Sequence, residues 1–258
     1  MTAKIRLTDI GILFRPRGRE PVRAVEQVSL GVPEGAIVTI VGPSGCGKST
    51  VLNLVSGLLA PSNGQVEIDG KPVVGIRHDV GYMFARDGMM PWRTAVRNVE
   101  FGLEVRRVAN RRAIALEWLR RVGLEGFATH YRHELSQGMR QRVAVARTFA
   151  TDPDILLMDE PFGALDSQTR LLLQELFLTV WESTKKTVLF VTHDLPEAIF
   201  LSDVVVVFTS RPGRVKSVVP IPLPRPRPPP AELATEAAFR DIFSRIWRDL
   251  KDEVRAFE

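Results

Sequence analysis

The residues Gly42-Pro43-Ser44-Gly45-Cys46-Gly47-Lys48-Ser49-Thr50 hold the densest chemistry in the chain. Three glycines let successive backbone N–H groups turn inward toward phosphate oxygens, and a helix opening at that point adds a favourable partial charge. Lys48 supplies a point charge for β and γ phosphates, and the Ser49 hydroxyl can ligate Mg²⁺. Such a loop works only between a buried strand and a helix, and the flanking sequence supplies both. Ala36–Val41 is a continuous apolar run, the mark of a strand covered on both faces, and Ser49–Leu59 reads as the helix.

A second set of groups lies at Ile155-Leu156-Leu157-Met158-Asp159-Glu160, an apolar strand that ends in two carboxylates. Neighbours on a strand point to opposite sides of the pleat. Asp159 can then hold a Mg²⁺ shell while Glu160 faces a water beside a γ phosphate. Many strands end in acidic residues; the phosphate loop upstream makes this pair specific.

Between the two motifs stands Leu135-Ser136-Gln137-Gly138-Met139-Arg140-Gln141-Arg142, and here the chain resembles the ATP-binding subunits of ABC transporters, whose signature is usually LSGGQ or LSGGM followed by a basic helix. The resemblance covers about residues 3 to 225. It implies ATP and Mg²⁺ as cofactors, with Lys48, Glu160 and His193 as catalytic residues and Ser49 and Asp159 on the metal. It also implies a second ATPase subunit, a homodimer partner, whose bound ATP would meet Ser136, Gln137 and Gly138. Phe14 falls where the family places an aromatic against adenine, a position a core Phe would fill equally well. Phe162-Gly163-Ala164-Leu165-Asp166 matches the loop that crosses the dimer interface, and His193 in Val191-Thr192-His193-Asp194 matches the histidine that contacts the γ phosphate. Two positions depart from the pattern. Gln137 interrupts the glycine pair and is expected to place a side chain near the partner's nucleotide. Ala85, in Gly81-Tyr82-Met83-Phe84-Ala85, stands where the family has a Gln that touches Mg²⁺ or the attacking water.

Met90-Pro91-Trp92-Arg93-Thr94 and Ser210-Arg211-Pro212-Gly213-Arg214, leading to Leu223-Pro224-Arg225-Pro226-Arg227, are similar to the nitrate/sulfonate/taurine import branch. That similarity implies a subunit powering uptake of a small anion. It would sit peripherally on the cytoplasmic face of the inner membrane, bound to integral permease subunits and served indirectly by a periplasmic solute-binding protein. Arg86 and Arg93 are the expected contacts for a cytoplasmic helix of the permease. Two other readings remain open: a soluble ABC-type ATPase, and a slow or non-catalytic module that dimerises on ATP.

The elements that must position these groups follow from composition and pattern. The 258 residues, 45% hydrophobic and 25% charged, suit a globular α/β chain, and a single cysteine, Cys46, excludes a disulfide framework. Neither a signal segment nor a run of 18 apolar residues is present, so the chain reads as cytosolic. Of the net charge of +5, Arg211–Pro230 contributes five basic and no acidic residues, while Ala231–Glu258 carries five basic and seven acidic, which leaves +2 for the first 210 residues. That is too little for a nucleic-acid groove, and no nucleic-acid partner is expected.

Ile5–Asp9 and Val22–Val32 read as antiparallel strands, and Val66–Ile68 with Asp69-Gly70 as a hairpin. From Thr94 to about Arg147 the pattern is mostly helical, clearest at Ala113–Val122; strands return at Ile155–Met158, Val188–Thr192 and Val204–Phe208 around a helical run, Ser167–Trp181. The expected fold is α/β, a P-loop NTPase of ABC type with a mainly parallel sheet, an antiparallel β edge and a helical subdomain. The expected domains are 1–219 for the ATPase, with the helical subdomain at about 86–147, then a Pro-rich extended linker at 220–230 and an amphipathic helix at 231–258. That last stripe, Phe239, Ile242, Phe243, Ile246, Trp247, Leu250, Val254 and Phe257, must be buried, by preference on its own domain.

Overall fold

The computed structural model describes residues 3–255. In chain order the elements are β1 (Ala3–Phe14), β2 (Val22–Pro33), β3 (Ile37–Val41), α1 (Lys48–Val55), β4 (Asn63–Ile68), β5 (Lys71–Pro72), β6 (Val80–Met83), α2 (Ala95–Val105), α3 (Arg111–Arg121) and α4 (Gln137–Ala150). There follow β7 (Ile155–Asp159), α5 (Ser167–Thr184), β8 (Thr187–Thr192), α6 (Leu195–Leu201), β9 (Val204–Phe208), β10 (Val215–Pro220), α7 (Pro230–Leu233) and α8 (Ala237–Arg255). Contacts divide the chain into two compact units, one formed by residues up to Arg77 and from Lys185 onward, the other by His78–Thr184. The second unit is wider than the helical segment expected at 86–147, because α4 packs on β6 and on α5 and so draws the flanking strands and the long helix into the same body.

In the first unit β3 pairs in parallel with β8 on one side and β9 on the other, and β10 adds antiparallel to β9. All five residues of β3 and all six of β8 are buried, which is why both read as unbroken apolar runs. The one polar residue of β3, Thr39, pairs its hydroxyl with that of Ser202. The antiparallel strands form a sheet of their own, in the order β2-β1-β4-β5. Asp69 and Gly70, both at positive φ, close the β4–β5 hairpin.

The loop helix is shorter than Ser49–Leu59. α1 ends at Val55, Ser56 turns its hydroxyl onto the Asn53 carbonyl (3.0 Å), and Gly57 at φ +74° takes the left-handed step that stops the helix. In the second unit, β6 and β7 pair in parallel, and α2, α3 and α4 pack on one another. Ala113–Val122 proves a poor choice for the clearest amphipathic stretch. α3 buries only Ala115 and Leu119, while Leu116 is exposed and the Trp118 ring lies under the Arg121 guanidinium, 4.8 Å from its centroid.

Between β10, which takes Pro220, and α7, which opens at Pro230, residues 221–229 carry no regular secondary structure and form a strap fastened to the chain. Ile221 and Leu223 are buried, and the Ile221 N–H donates to the Asp203 carbonyl (2.9 Å). Prolines lack amide donors, so the interleaved arginines supply them. Arg225 donates to the Asp203 carboxylate (2.8 Å) and the Leu201 carbonyl (2.7 Å), and Arg227 to the carbonyls of Phe200 (3.2 Å) and Ser202 (2.7 Å). The segment beyond it is two helices instead of one, broken after Leu233, where the Thr235 hydroxyl bonds back to the Glu232 carbonyl (2.7 Å). α8 docks on α6, β9 and β10 and buries Phe239, Ile246 and Leu250, whereas Trp247 stays 47% exposed. Of the expected stripe, Phe257 and the Val254 side chain lie outside what is described. Among the described residues, no helix is long and apolar enough to cross a membrane.

Candidate functional site

Register places the first group of functional residues. Val41 of β3 stands opposite Thr192 of β8 and Val207 of β9, so the loop that opens at Gly42, His193 and the segment after Phe208 leave the sheet side by side at its carboxyl edge. That edge is where open α/β sheets bind ligands. Lys48 is buried, and its ammonium donates to the carbonyls of Gly42 (2.9 Å) and Pro43 (3.0 Å), which folds the charged tip back over the loop. α1 begins there with Gly47 at φ +103° and no side-chain cap, and its first turn holds no acidic residue. A Cβ on Gly47 would stand 2.6 Å from Val25 Cγ1, so close approach and positive φ both require glycine. Uncapped helix amides beside a buried ammonium fit a phosphate chain.

Burial pushes the Cys46 thiol up, against the lowering influence of Lys48, and the side chain packs inside the protein at 1% exposure. His193 is exposed on a rigid turn. The Thr192 hydroxyl accepts from the Asp194 N–H (3.0 Å), and Asp194 caps α6 by accepting from the Glu197 N–H (3.0 Å). Phe14 ends β1 and is 42% exposed; it is not part of the core.

The second group gathers in the other unit. Met83 of β6 pairs with Met158 of β7, so Phe84-Ala85 and Asp159-Glu160 emerge from adjacent strand ends. Tyr82 stacks on Phe84 at 4.4 Å, and its hydroxyl is pushed upward by burial and by the charge of Asp159. Glu160 sits at φ +46°, in the left-handed region that a side chain rarely adopts, and its carbonyl accepts from the Gly163 N–H (3.1 Å). Strain of this kind is kept where the surroundings fix a side chain for use. Ser136 caps α4 by accepting from the Met139 N–H (3.3 Å), and Asp166 caps α5 by accepting from the Thr169 N–H (3.0 Å), a bond that holds the Asp166 carboxyl below its usual range. Gln137 turns onto its own chain, where its amide donates to the Ala164 carbonyl (2.7 Å) and ties the signature to the Phe162–Asp166 loop. A Cβ on Gly138 would lie 2.6 Å from Thr169 Cγ2.

Sequence reasoning missed the residue that anchors the loop after Ala85. Asp87 is buried and receives both arms of Arg132 (3.1 Å each), the Met89 N–H (2.9 Å) and the Arg140 charge (3.3 Å), while Arg147 donates to the carbonyls of Asp87 and Gly88 (2.7 Å each). Asn98 holds the next stretch, accepting from the Met90 N–H (2.8 Å) and donating to the Arg93 and Thr94 carbonyls (3.0 Å each). Asp87-Gly88 reads in sequence as a plain turn, and the spacing to Arg132, Arg140 and Arg147 gives no local signal. Burial by itself would raise the Asp87 carboxyl; the Arg132 and Met89 hydrogen bonds and the two arginine charges outweigh it and hold the group below the usual range. A depressed carboxyl stabilises the fold fully above its unfolded value, about 3.9, and loses that contribution as pH falls through the folded value. Asp87→Ala should therefore destabilise the protein by about 2–3 kcal/mol at pH 7 and by less at pH 3, measured by urea unfolding. An equal loss at both pH values would contradict the ionic anchor.

A family model described as ABC transporter matches residues 25–163, a span that holds the phosphate loop, the signature and the Asp159-Glu160 pair. The chain belongs to the ABC transporter family. An uncharacterised ABC transporter ATP-binding protein of Methanocaldococcus jannaschii is 47% identical over 98% of this chain and 94% of its own length. The taurine import ATP-binding protein of Rhizobium johnstonii is 47% identical over 82% of this chain and 81% of its own, and that of Yersinia pestis 48% identical over 74% and 76%. Among solved structures, the dimeric post-hydrolysis state of the ATP-binding cassette MJ0796 bound to ADP and Pi superposes with a TM-score of 0.74 at 34% identity, over 84% of this chain and 98% of that one. The α/β expectation with parallel and antiparallel strands and a helical part holds.

Proposed function

We propose that this ABC transporter ATP-binding protein hydrolyses ATP and powers a membrane importer for a small anion of the nitrate, sulfonate or taurine kind. The observation that carries the first half is the buried Lys48 over a glycine loop at the carboxyl edge of β3, in a chain of this family. The taurine import relatives support the second half. In this reading Gly42–Thr50 holds the triphosphate, with Pro43, Ser44, Gly45 and Cys46 offering backbone amides and Lys48 the charge. Phe14 stacks on adenine. Ser49 and Asp159 hold Mg²⁺, which neutralises phosphate charge when bound. Among the described residues no cluster of three or more His, Cys, Asp or Glu could cage a metal, and Mg²⁺ is ordinarily held by one or two protein oxygens with phosphates and waters.

Glu160 orients and deprotonates the attacking water, and His193 donates to the γ phosphate. Ser136, Gly138 and Asp166 serve the nucleotide of a second copy, so closure adds contacts that exist only with ATP in place. The Ala85 side chain offers no polar atom, so in this reading water stands where the family pattern has a Gln side chain. The subunit rests on permease subunits at the cytoplasmic face of the membrane and reaches a periplasmic binding protein only through them.

The test is uptake in vesicles that hold the assembled transporter, with nitrate, an alkanesulfonate and taurine offered separately. ATP-dependent accumulation of one of these anions is expected. ATP turnover with no uptake of any small anion would overturn the transport reading.

A further inference from the structure

A contact between the phosphate loop and a segment 166 residues away lies outside the machinery just described. Arg211 directs both Nε (3.1 Å) and Nη2 (2.9 Å) at the Gly45 carbonyl. In a trans peptide the carbonyl and the next N–H point in opposite directions. Holding the Gly45 oxygen outward therefore keeps the Cys46 N–H turned into the loop, where it now reaches the Pro43 carbonyl at 3.4 Å. The neighbouring backbone is equally close: a Cβ on Gly213 would lie 2.0 Å from the Cys46 carbonyl oxygen. Gly213 is itself fixed to β2, donating to the Ala24 carbonyl (2.9 Å) and accepting from the Glu26 N–H (3.0 Å).

The same segment is gripped from its other side by α8. The Glu253 carboxylate accepts from the Ser210 N–H (2.9 Å) and the Ser210 hydroxyl (3.2 Å), and pairs with Lys216 (2.7 Å). Ser217 donates to Asp249 one turn earlier (2.6 Å). A continuous chain of polar contacts thus runs from the C-terminal helix through Glu253, Ser210 and Arg211 to the loop peptide at Gly45. None of these residues belongs to the loop, strand-end or signature motifs.

We infer that Arg211 is a positioning residue for the phosphate loop and that α8, through Glu253, sets it, so the C-terminal helix tunes nucleotide affinity from behind the site. The inference rests on the ATP-binding reading. Arg211 is exposed and fills no core space, so its loss should spare the fold while freeing the Gly45–Cys46 peptide. Lysine carries the charge but cannot make the forked contact.

The experiment is a double-mutant cycle on ATP and ADP dissociation constants of the full chain, with thermal melting without nucleotide as control. Arg211→Ala should weaken both nucleotides about tenfold, Arg211→Lys should recover only part of this, and Glu253→Gln should weaken them about threefold with an unchanged melting temperature. The double variant Arg211→Ala/Glu253→Gln should bind no worse than Arg211→Ala, because both act through one contact. Wild-type affinity in Arg211→Ala, or additive losses in the double variant, would overturn the inference while leaving ATP binding intact. Failure of the wild-type chain to bind either nucleotide would instead remove the reading beneath it.

Discussion

Glu160→Gln should bind ATP as the wild type does while ATP turnover in the assembled transporter falls by about 10² or more. The substitution keeps volume and shape, so the left-handed backbone at φ +46° and the bond from the Gly163 N–H are undisturbed. What is lost is the carboxylate charge that, in the proposed mechanism, orients and deprotonates water. Asp159, one residue earlier at the end of β7, is the metal ligand in this reading and does not replace it. Steady-state phosphate release alongside direct ATP binding separates the two effects. Unchanged turnover would show that another group is the base; loss of binding would show that Glu160 serves the fold.

Lys48→Ala should have the opposite signature. A phosphate oxygen can compete for the ammonium that now rests on the Gly42 and Pro43 carbonyls, 2.9 and 3.0 Å away. Removing it deprives the nucleotide of a charged hydrogen bond, a loss of about 1.5–3 kcal/mol in affinity, which is roughly 10- to 150-fold. The two carbonyls also lose their donor, so melting of the nucleotide-free protein must be compared in parallel. A weaker Kd for ATP with near-native melting is expected. Wild-type affinity measured directly would contradict the phosphate role.

These effects are legible because the motifs are local: Gly42–Thr50 is a contiguous device, and its buried strand announces itself as five apolar-rich residues in a row. The carboxylate pair at Asp159-Glu160 is legible as the end of an apolar strand, although alternation stops at Asp159, because Glu160 leaves β7 at φ +46°. What escaped sequence reasoning depends on distant partners. Asp87 acquires its meaning from Arg132, Arg140 and Arg147 on other elements. Gln137, expected near a partner's nucleotide, also bonds through its amide to the Ala164 carbonyl of its own chain, a contact with no local sequence signal. The prolines of 220–230 account for the absence of regular structure over residues 221–229. They concealed the strap, because Arg225 and Arg227 supply the donors that prolines lack. α1 stopped early because Gly57 and Ser56 end a helix that hydrophobicity alone would have carried to Leu59.

The central claim is that ATP joins two copies of this chain through Ser136, Gly138 and Asp166 and that Glu160 then releases them. The most direct measurement is the solution mass of Glu160→Gln with and without saturating Mg·ATP. The expected result is a monomer without nucleotide and a dimer with ATP, reverting to monomer when Ser136 is also replaced by Arg. A variant that binds ATP fully yet keeps the mass of a single chain at every protein concentration would contradict it.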